Sequence, residues 1–311
     1  MNYRQLGSTG IKVSEIGFGA WQLGNQRDWG EMSDSKAIRL VHEALDRGCN
    51  FFDTAPNYGH GNSEKLLGKA LSGRRNHAVI NTKFGHHSDG TLNFDPKFIR
   101  ATLESSLKRL NTDYVDSLLL HNPDFECLKG NTGHFDELEK LKQEGKIRAY
   151  GASVDSSREM FELMGSTNSE VIEVMFNIFH QEPKKAFQQA GENGMGLVIK
   201  VPLDSGWLSG KYDKDSVFTD IRSRWDVEQL TKRASLLPRV KGVLEQEESM
   251  AQAALRFILS FQEISAVIPG VKNIQQLNIN VSAVEKQINQ KKVEELEKMW
   301  EEEIAGSPLK W

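Results

Sequence analysis

Two periodicities share this chain. Short apolar runs with the character of buried strands alternate with longer stretches in which apolar residues recur every three or four positions, the stripe of an amphipathic helix. The first run is 16–19, and behind it Ile38, Leu40, Val41, Ala44 and Leu45 fall on one stripe. "CNFFD" (49–53) is a second strand, with a helix at 63–71, and "AVINTK" (78–83) is a third. Asp95-Pro96 then has the form of an N-cap followed by a first helical residue, ahead of a stripe at Ile99, Leu103, Leu107 and Leu110. The next strands are "YVDSLLLHN" (114–122), "IRAYGAS" (147–153), "EVIEVMFN" (170–177), "GLVIKVP" (196–202) and "ISAVIPG" (264–270). Helical patterns at 135–144, after Asp155, at 184–192 and at 250–261 lie between them, and a last one closes the chain at 290–304.

Eight strands nearly all separated by helices predict a parallel sheet. No Pro/Gly/Ser-rich linker divides the sequence. The pattern therefore predicts one α/β domain over residues 1–311, a closed (β/α)8 TIM barrel with an N-terminal β-hairpin. An open doubly wound sheet usually carries a Gly-rich fingerprint after its first strand, and "GFGAWQLG" has the wrong spacing for it. "GWLSGKY" is one residue short of a P-loop and has Tyr212 where Ser or Thr is needed. Residues 211–230, rich in aromatic and charged side chains, predict an extended loop after strand seven, of the kind that covers a site.

Composition narrows the partners. The chain is 38% hydrophobic and 26% charged, an ordinary globular balance. A net charge of −4 offers no footprint for nucleic acid or an anionic membrane. No apolar stretch has transmembrane length, and the N-terminus lacks a signal-peptide pattern. Two cysteines, Cys49 and Cys127, cannot form a disulfide framework. The expectation is a cytoplasmic protein acting on a small molecule.

A barrel of this kind gathers its chemistry at the C-terminal ends of its strands. Strand two ends at Asp53, with Tyr58 in its loop; strand three ends at Lys83 and strand four at His121. Singly these could be a cap, a packed aromatic, a solvated lysine and a structural histidine. Jointly they are complementary. A free tyrosine ionises near pH ~10. A neighbouring ammonium would lower that value, and Asp53 would hold Lys83 charged and in place. With His121 to orient a carbonyl, the set can donate a proton to an oxygen that is becoming an alkoxide. Trp21, Trp29 and Phe84 would wall a substrate pocket, and Trp207 and Trp225 would come from the covering loop. His86 and His87 lack a third ligand at metal-site spacing. A metal-dependent barrel hydrolase would need such a cluster, so no metal is expected.

These segments resemble the aldo-keto reductase family. "FFDTAPNYG" matches its D-T-A-x-x-Y-G signature, "INTKFG" its lysine motif and "LLLHNPD" its histidine motif. "SLKRLNTDYVD", "IGFGAWQLG", "GKIRAYGAS" and "VIPGVKNIQQLNIN" resemble the family elsewhere, in the same order and over nearly the whole chain. The resemblance implies a monomer-capable (or weakly homo-oligomeric) barrel that binds NADP(H) without a Rossmann fold. It implies Tyr58 as general acid, tuned by Lys83 and Asp53, with His121 positioning a carbonyl substrate. Ser153 and Glu173 would lie near the nicotinamide carboxamide. Pro202, Leu203, Ser205 and Gly206 would line the pyrophosphate. Gly270, Val271, Lys272, Gln276 and Asn280 would surround the adenosine end, with Lys272 contacting a 2′-phosphate. Gly19, Ala20, Trp21, Asp53, Val201, Lys211 and Ile268 complete the implied cofactor contacts.

Three departures stand out. Val154 follows Ser153 where many members have Asn, Glu173 replaces a Gln, and Lys200 replaces a nicotinamide-stacking Tyr. Lys200 would lie across the nicotinamide through its stem and pair with Glu173. The expected activity is NADPH-dependent reduction of aldehydes or ketones. The alternative is a cofactor-binding regulatory or scaffold protein of the same fold.

Overall fold

The computed structural model describes every residue except 246 and 248. A short antiparallel hairpin, β1 (Tyr3–Gln5) and β2 (Lys12–Ser14), precedes the sheet. Eight parallel strands follow in chain order: β3 (Phe18–Gly19), β4 (Phe51–Asp53), β5 (Val79–Phe84), β6 (Val115–His121), β7 (Ile147–Val154), β8 (Val171–Met175), β9 (Gly196–Lys200) and β10 (Ile264–Val267). Each pairs with its sequence neighbour, and bridges from Ile16 to Val267 and from Gly19 to Gly270 close the barrel. The seam explains the glycines of "GFG": a Cβ on Gly19 would come within 2.6 Å of the Ile268 carbonyl oxygen. The expected (β/α)8 barrel and its N-terminal hairpin are both present.

Strand alternation then sorts the side chains into layers. Phe51, Val79, Leu119, Ala149, Val171 and Val198 point inward and form an apolar plug with Leu6, Ile11 and Val13 of the hairpin segment. Their immediate neighbours Phe52, Ile80, Leu118, Leu120, Ile172 and Ile199 point outward and pack beneath the helices. Two or four residues beyond the plug on the same parity stand Asp53, Asn81, Lys83, His121, Ser153, Glu173 and Lys200. The period of two thus puts a polar layer directly above the apolar one, at the C-terminal mouth.

The helices match the apolar stripes closely, including Asp34–Asp46, Asn62–Ala70, His134–Gln143, Ser157–Ser166, Met250–Leu259 and Gln290–Glu303. Asp95 caps a 3-10 turn, Pro96–Phe98, that runs into Ile99–Leu110. The stretch expected as an extended loop after strand seven is only partly one. From Val227 it becomes a helix that runs to Val243, capped by Asp226 accepting from the Gln229 N–H at 2.8 Å. Its apolar stripe is thin, and Pro238 lies inside it, so the helical pattern is weak in the sequence. Burial of Leu236, Leu237 and Val240 supplies what local propensity lacks.

Candidate active site

Asp53 ends β4, and the chain turns at once into the helix Asn62–Ala70. Buried hydrogen bonds pin that turn. Thr54 Oγ1 and Ser63 Oγ lie 2.9 Å apart, and Ser63 donates to the Ala20 carbonyl at 2.9 Å. Glu64, wholly buried, accepts from Thr82 Oγ1 at 2.7 Å and pairs with Arg109 at 2.6 Å. The loop carrying Tyr58 is therefore anchored to β5 and to the helix Ile99–Leu110.

Lys83, with no exposed surface, lies beneath Tyr58: its Nζ is 5.3 Å from the centre of the phenol ring. The ammonium meets Asp53 Oδ1 at 2.5 Å and donates to the Thr54 carbonyl at 3.2 Å. It also faces Glu173 Oε2 at 3.3 Å. The His121 ring stands edge-on to Tyr58, with centroids 6.0 Å apart. Asp53, Tyr58, Lys83 and His121, distant in sequence, are thus brought together.

The electrostatics differ from the sequence expectation in one respect. Lys83 does pull the Tyr58 phenol downward, but burial raises it more, and Asp53 and Glu173 add to the rise. The net direction is upward, so Tyr58 is held firmly protonated. Burial opposes the charge on Lys83, yet its two carboxylate neighbours outweigh burial and lift it above the ordinary lysine value. His121 falls well below the ordinary histidine value, through burial first and then Lys83, His86 and Lys200. It is a neutral imidazole at neutral pH, and its buried Nδ1 has no protein partner.

Lys200 does not pair with Glu173. Its ammonium pairs with Asp155 at 2.9 Å and donates to Asn122 Oδ1 and Ser153 Oγ, each at 2.8 Å. Glu173 is held instead from β5, because Lys83 and Asn81 reach across the barrel to it. The two residues meet only through Ser153, whose hydroxyl lies 3.1 Å from Glu173 Oε1.

Aromatic side chains surround the mouth. Trp21 lies 6.1 Å from Tyr58 and 5.1 Å from Trp29. Phe84, expected to wall a pocket, instead has no exposed surface and points outward into the layer beneath the helices, with ring contacts to Phe94 and His87. Trp207 is buried against Tyr212 and Phe218, and Trp225 lies under the Arg224 and Arg233 guanidinium groups. Trp311 was not expected here: the last residue of the chain packs 6.3 Å from Trp21. Nothing in a C-terminal tryptophan marks it in sequence as a neighbour of strand one.

The residues expected to hold a nicotinamide nucleotide form a track leading from this mouth. After β9, Val201, Asp204, Ser205 and Gly206 all have positive φ. Such a conformation is rare for non-glycine residues, and rarer still for a β-branched one. Successive turns of this kind form anion-binding concavities of backbone N–H groups. Lys211, Pro202 and Leu203 belong to the same stretch. Across the seam, Gly19 meets Ile268 and Gly270; a Cβ on Gly270 would strike the Gln22 amide at 2.2 Å. Farther along, the half-buried Lys272 lies 5.7 Å from the Trp29 ring, with Gln276 accepting from its backbone N–H at 2.8 Å. Burial, then Arg222, lowers its affinity for a proton; Asp220 opposes this, and Lys211 and Lys36 add to the lowering. Val271 and Asn280 are buried, and the Asn280 Nδ2 has no protein partner. Arg222 is a further cation that sequence reasoning missed. Its guanidinium pairs with Asp220, sits 5.5 Å from Trp29 and donates to the Ser205 carbonyl at 3.4 Å. Left-handed backbone turns, cations and an orphaned buried amide are groups that a nicotinamide dinucleotide could use.

A barrel with this constellation at its mouth defines an oxidoreductase class, and the comparisons agree. The chain belongs to the aldo/keto reductase family, whose model matches residues 15–301. It is 32% identical to L-galactose dehydrogenase of Arabidopsis thaliana, over 90% of this chain and 87% of that one. It is 28% identical to the NADH-specific methylglyoxal reductase of Escherichia coli, over 94% of this chain and 98% of that one. The holo form of an aldo-keto reductase from Bacillus halodurans superposes with a TM-score of 0.82 at 28% identity, covering 96% of each chain. Members of the family use nicotinamide cofactors. No helix among the described residues is long and apolar enough to cross a membrane.

Proposed function

We propose that this protein reduces aldehyde or ketone carbonyls to alcohols, with Tyr58 as proton donor and NADPH preferred over NADH. The observation that carries the reading is the Tyr58 phenol above a buried Lys83 that is charged and fixed by Asp53 at 2.5 Å. When bound, the nicotinamide supplies hydride to the carbonyl carbon. Tyr58 gives its proton to the oxygen as negative charge develops there, and Lys83 stabilises the phenolate left behind. Neutral His121 donates a hydrogen bond that orients the carbonyl without competing as an acid. Trp21, Trp29 and Trp311 favour apolar or aromatic groups on the substrate.

The cofactor preference rests on the excess of cations at the adenosine end, where Lys272, Arg222, Lys211 and Lys36 gather around one acid, Asp220. A 2′-phosphate would meet them as a charge-assisted hydrogen-bond acceptor. The E. coli relative is named as NADH-specific, so this end of the site decides the matter. Both cysteines are free, which suits a reducing cytoplasm.

The test is steady oxidation of NADPH by the purified protein with a panel of aromatic and aliphatic aldehydes. The reading expects turnover with some members of the panel, and slower turnover with NADH. Tight NADPH binding with no turnover across the panel would contradict it and favour the scaffold alternative.

A further inference from the structure

Behind the proton donor lies a second carboxylate that the proposed mechanism does not use. The buried Lys83 has two carboxylate neighbours, Asp53 from β4 and Glu173 from β8, at 2.5 and 3.3 Å. Both acids are nearly inaccessible, at 3% and 2% exposure. Asn81 Nδ2 bridges them, donating to Asp53 Oδ1 at 2.7 Å and to Glu173 Oε2 at 3.2 Å. One cation against two buried anions leaves an uncompensated charge, which a buried site relieves by keeping a proton. A glutamine at 173 would offer a similar oxygen without the charge.

We propose that Glu173 is a positioning residue of this site: it shares the Lys83 ammonium with Asp53 and so keeps a proton on Asp53, beneath Tyr58. The remaining groups fit that assignment. Tyr58 is the titratable group above, and His121 on β6 is neutral. β7 presents the uncharged Ser153, which lies between Glu173 and Lys200. The charge of Lys200 on β9 is matched by Asp155, and His86 stacks on His121 at 4.4 Å. No second cation reaches the carboxyl pair among the described residues. Burial first, and then Glu173, push Asp53 up to about 7 against the pull of Lys83. Below neutral pH the Asp53–Lys83–Glu173 group carries no net charge. Above it the group becomes an anion, which strengthens the hold of Tyr58 on its proton and slows donation. Only this kinetic consequence rests on the proposed function.

Infrared difference spectra between about pH 5 and about pH 9 test the retained proton without any need for turnover. The wild-type protein should show a protonated carboxyl band on the acid side that vanishes near neutrality. Isotope-labelled aspartate should shift it, and E173Q and D53N should each abolish it. A wild-type spectrum without such a band, or a band that survives in E173Q, overturns the proposal. If E173Q does not fold, the label shifts in the wild type decide alone. In the kinetics, kcat for carbonyl reduction should break near neutral pH in the wild type. In E173Q that break should be lost or displaced at least about tenfold in proton concentration, with KM little changed. Absence of carbonyl turnover would count against the proposed function and leave the infrared result to judge Glu173.

Discussion

Tyr58 shows what a single residue's surroundings do to an expectation. A cation beneath a phenol lowers its affinity for protons, and Lys83 acts in that direction. Burial is the larger effect, and burial cannot be read from "NYG". His121 is the simpler case: burial and nearby cations both depress it. NMR titration of its imidazole should therefore show no protonation between about pH 8 and about pH 6; an ordinary histidine midpoint would contradict the neutral role. At the other end of the track, Lys272→Ala should weaken NADPH binding at least about tenfold, the scale of one charge-assisted contact. Binding of NADH should change less than about twofold. Equal losses, measured by titration of tryptophan fluorescence, would remove Lys272 from the phosphate site. The four residues at the mouth were legible because each stands where a strand or its loop turns polar. The partner of Lys200 was not, since Asp155 and Glu173 are both acids one strand or more away and only the barrel's curvature chooses between them.

Among the elements, the segment after β9 is the one that sequence pattern described least well. It carries left-handed residues at 201–206, a turn at Ile221–Arg224 and then the helix Val227–Val243. One buried ion pair ties these parts together. Arg233, on the helix, donates to Asp204 at 2.8 Å and to the Lys310 carbonyl at 2.7 Å, with 1% of the side chain exposed. The same residue stacks 4.0 Å from Trp225. This side chain thereby fixes the positive-φ turn, the covering segment and the C-terminal tail that delivers Trp311. Arg233→Met should destabilise the protein by about 3–5 kcal/mol, because it leaves Asp204 charged and buried without a partner. Urea unfolding reads that loss, and a change within about 0.5 kcal/mol would show that the pair is not what holds the segment. A charged residue inside a thin apolar stripe gave no sign in sequence of being an interior anchor.

For the molecule as a whole, the barrel was legible because eight short apolar runs are nearly all separated by a helical stripe, and within each strand side chains alternate with a period of two. That same period set the apolar plug below and the polar layer above. Stability should carry the imprint of that layer. Asp53 is pushed from its ordinary value of 3.8 up to about 7 in the folded protein. Between those values the folded state keeps a proton that the unfolded chain has released. The stabilisation is therefore complete below the lower value and is lost as pH rises through the upper one. In E173Q, Lys83 alone would keep Asp53 ionised, so wild type should lose stability relative to E173Q as pH rises from about 4 to about 7. Thermal unfolding curves that shift in parallel would contradict the linkage. The central claim is more direct: hydride reaches a carbonyl only while Tyr58 supplies the proton. The measurement is NADPH oxidation with an aromatic aldehyde by wild type and by Tyr58→Phe, together with NADPH titration of both. The account predicts steady turnover by wild type, a loss of about 100-fold or more in the variant, and unchanged NADPH binding. Equal turnover by the two proteins would contradict it.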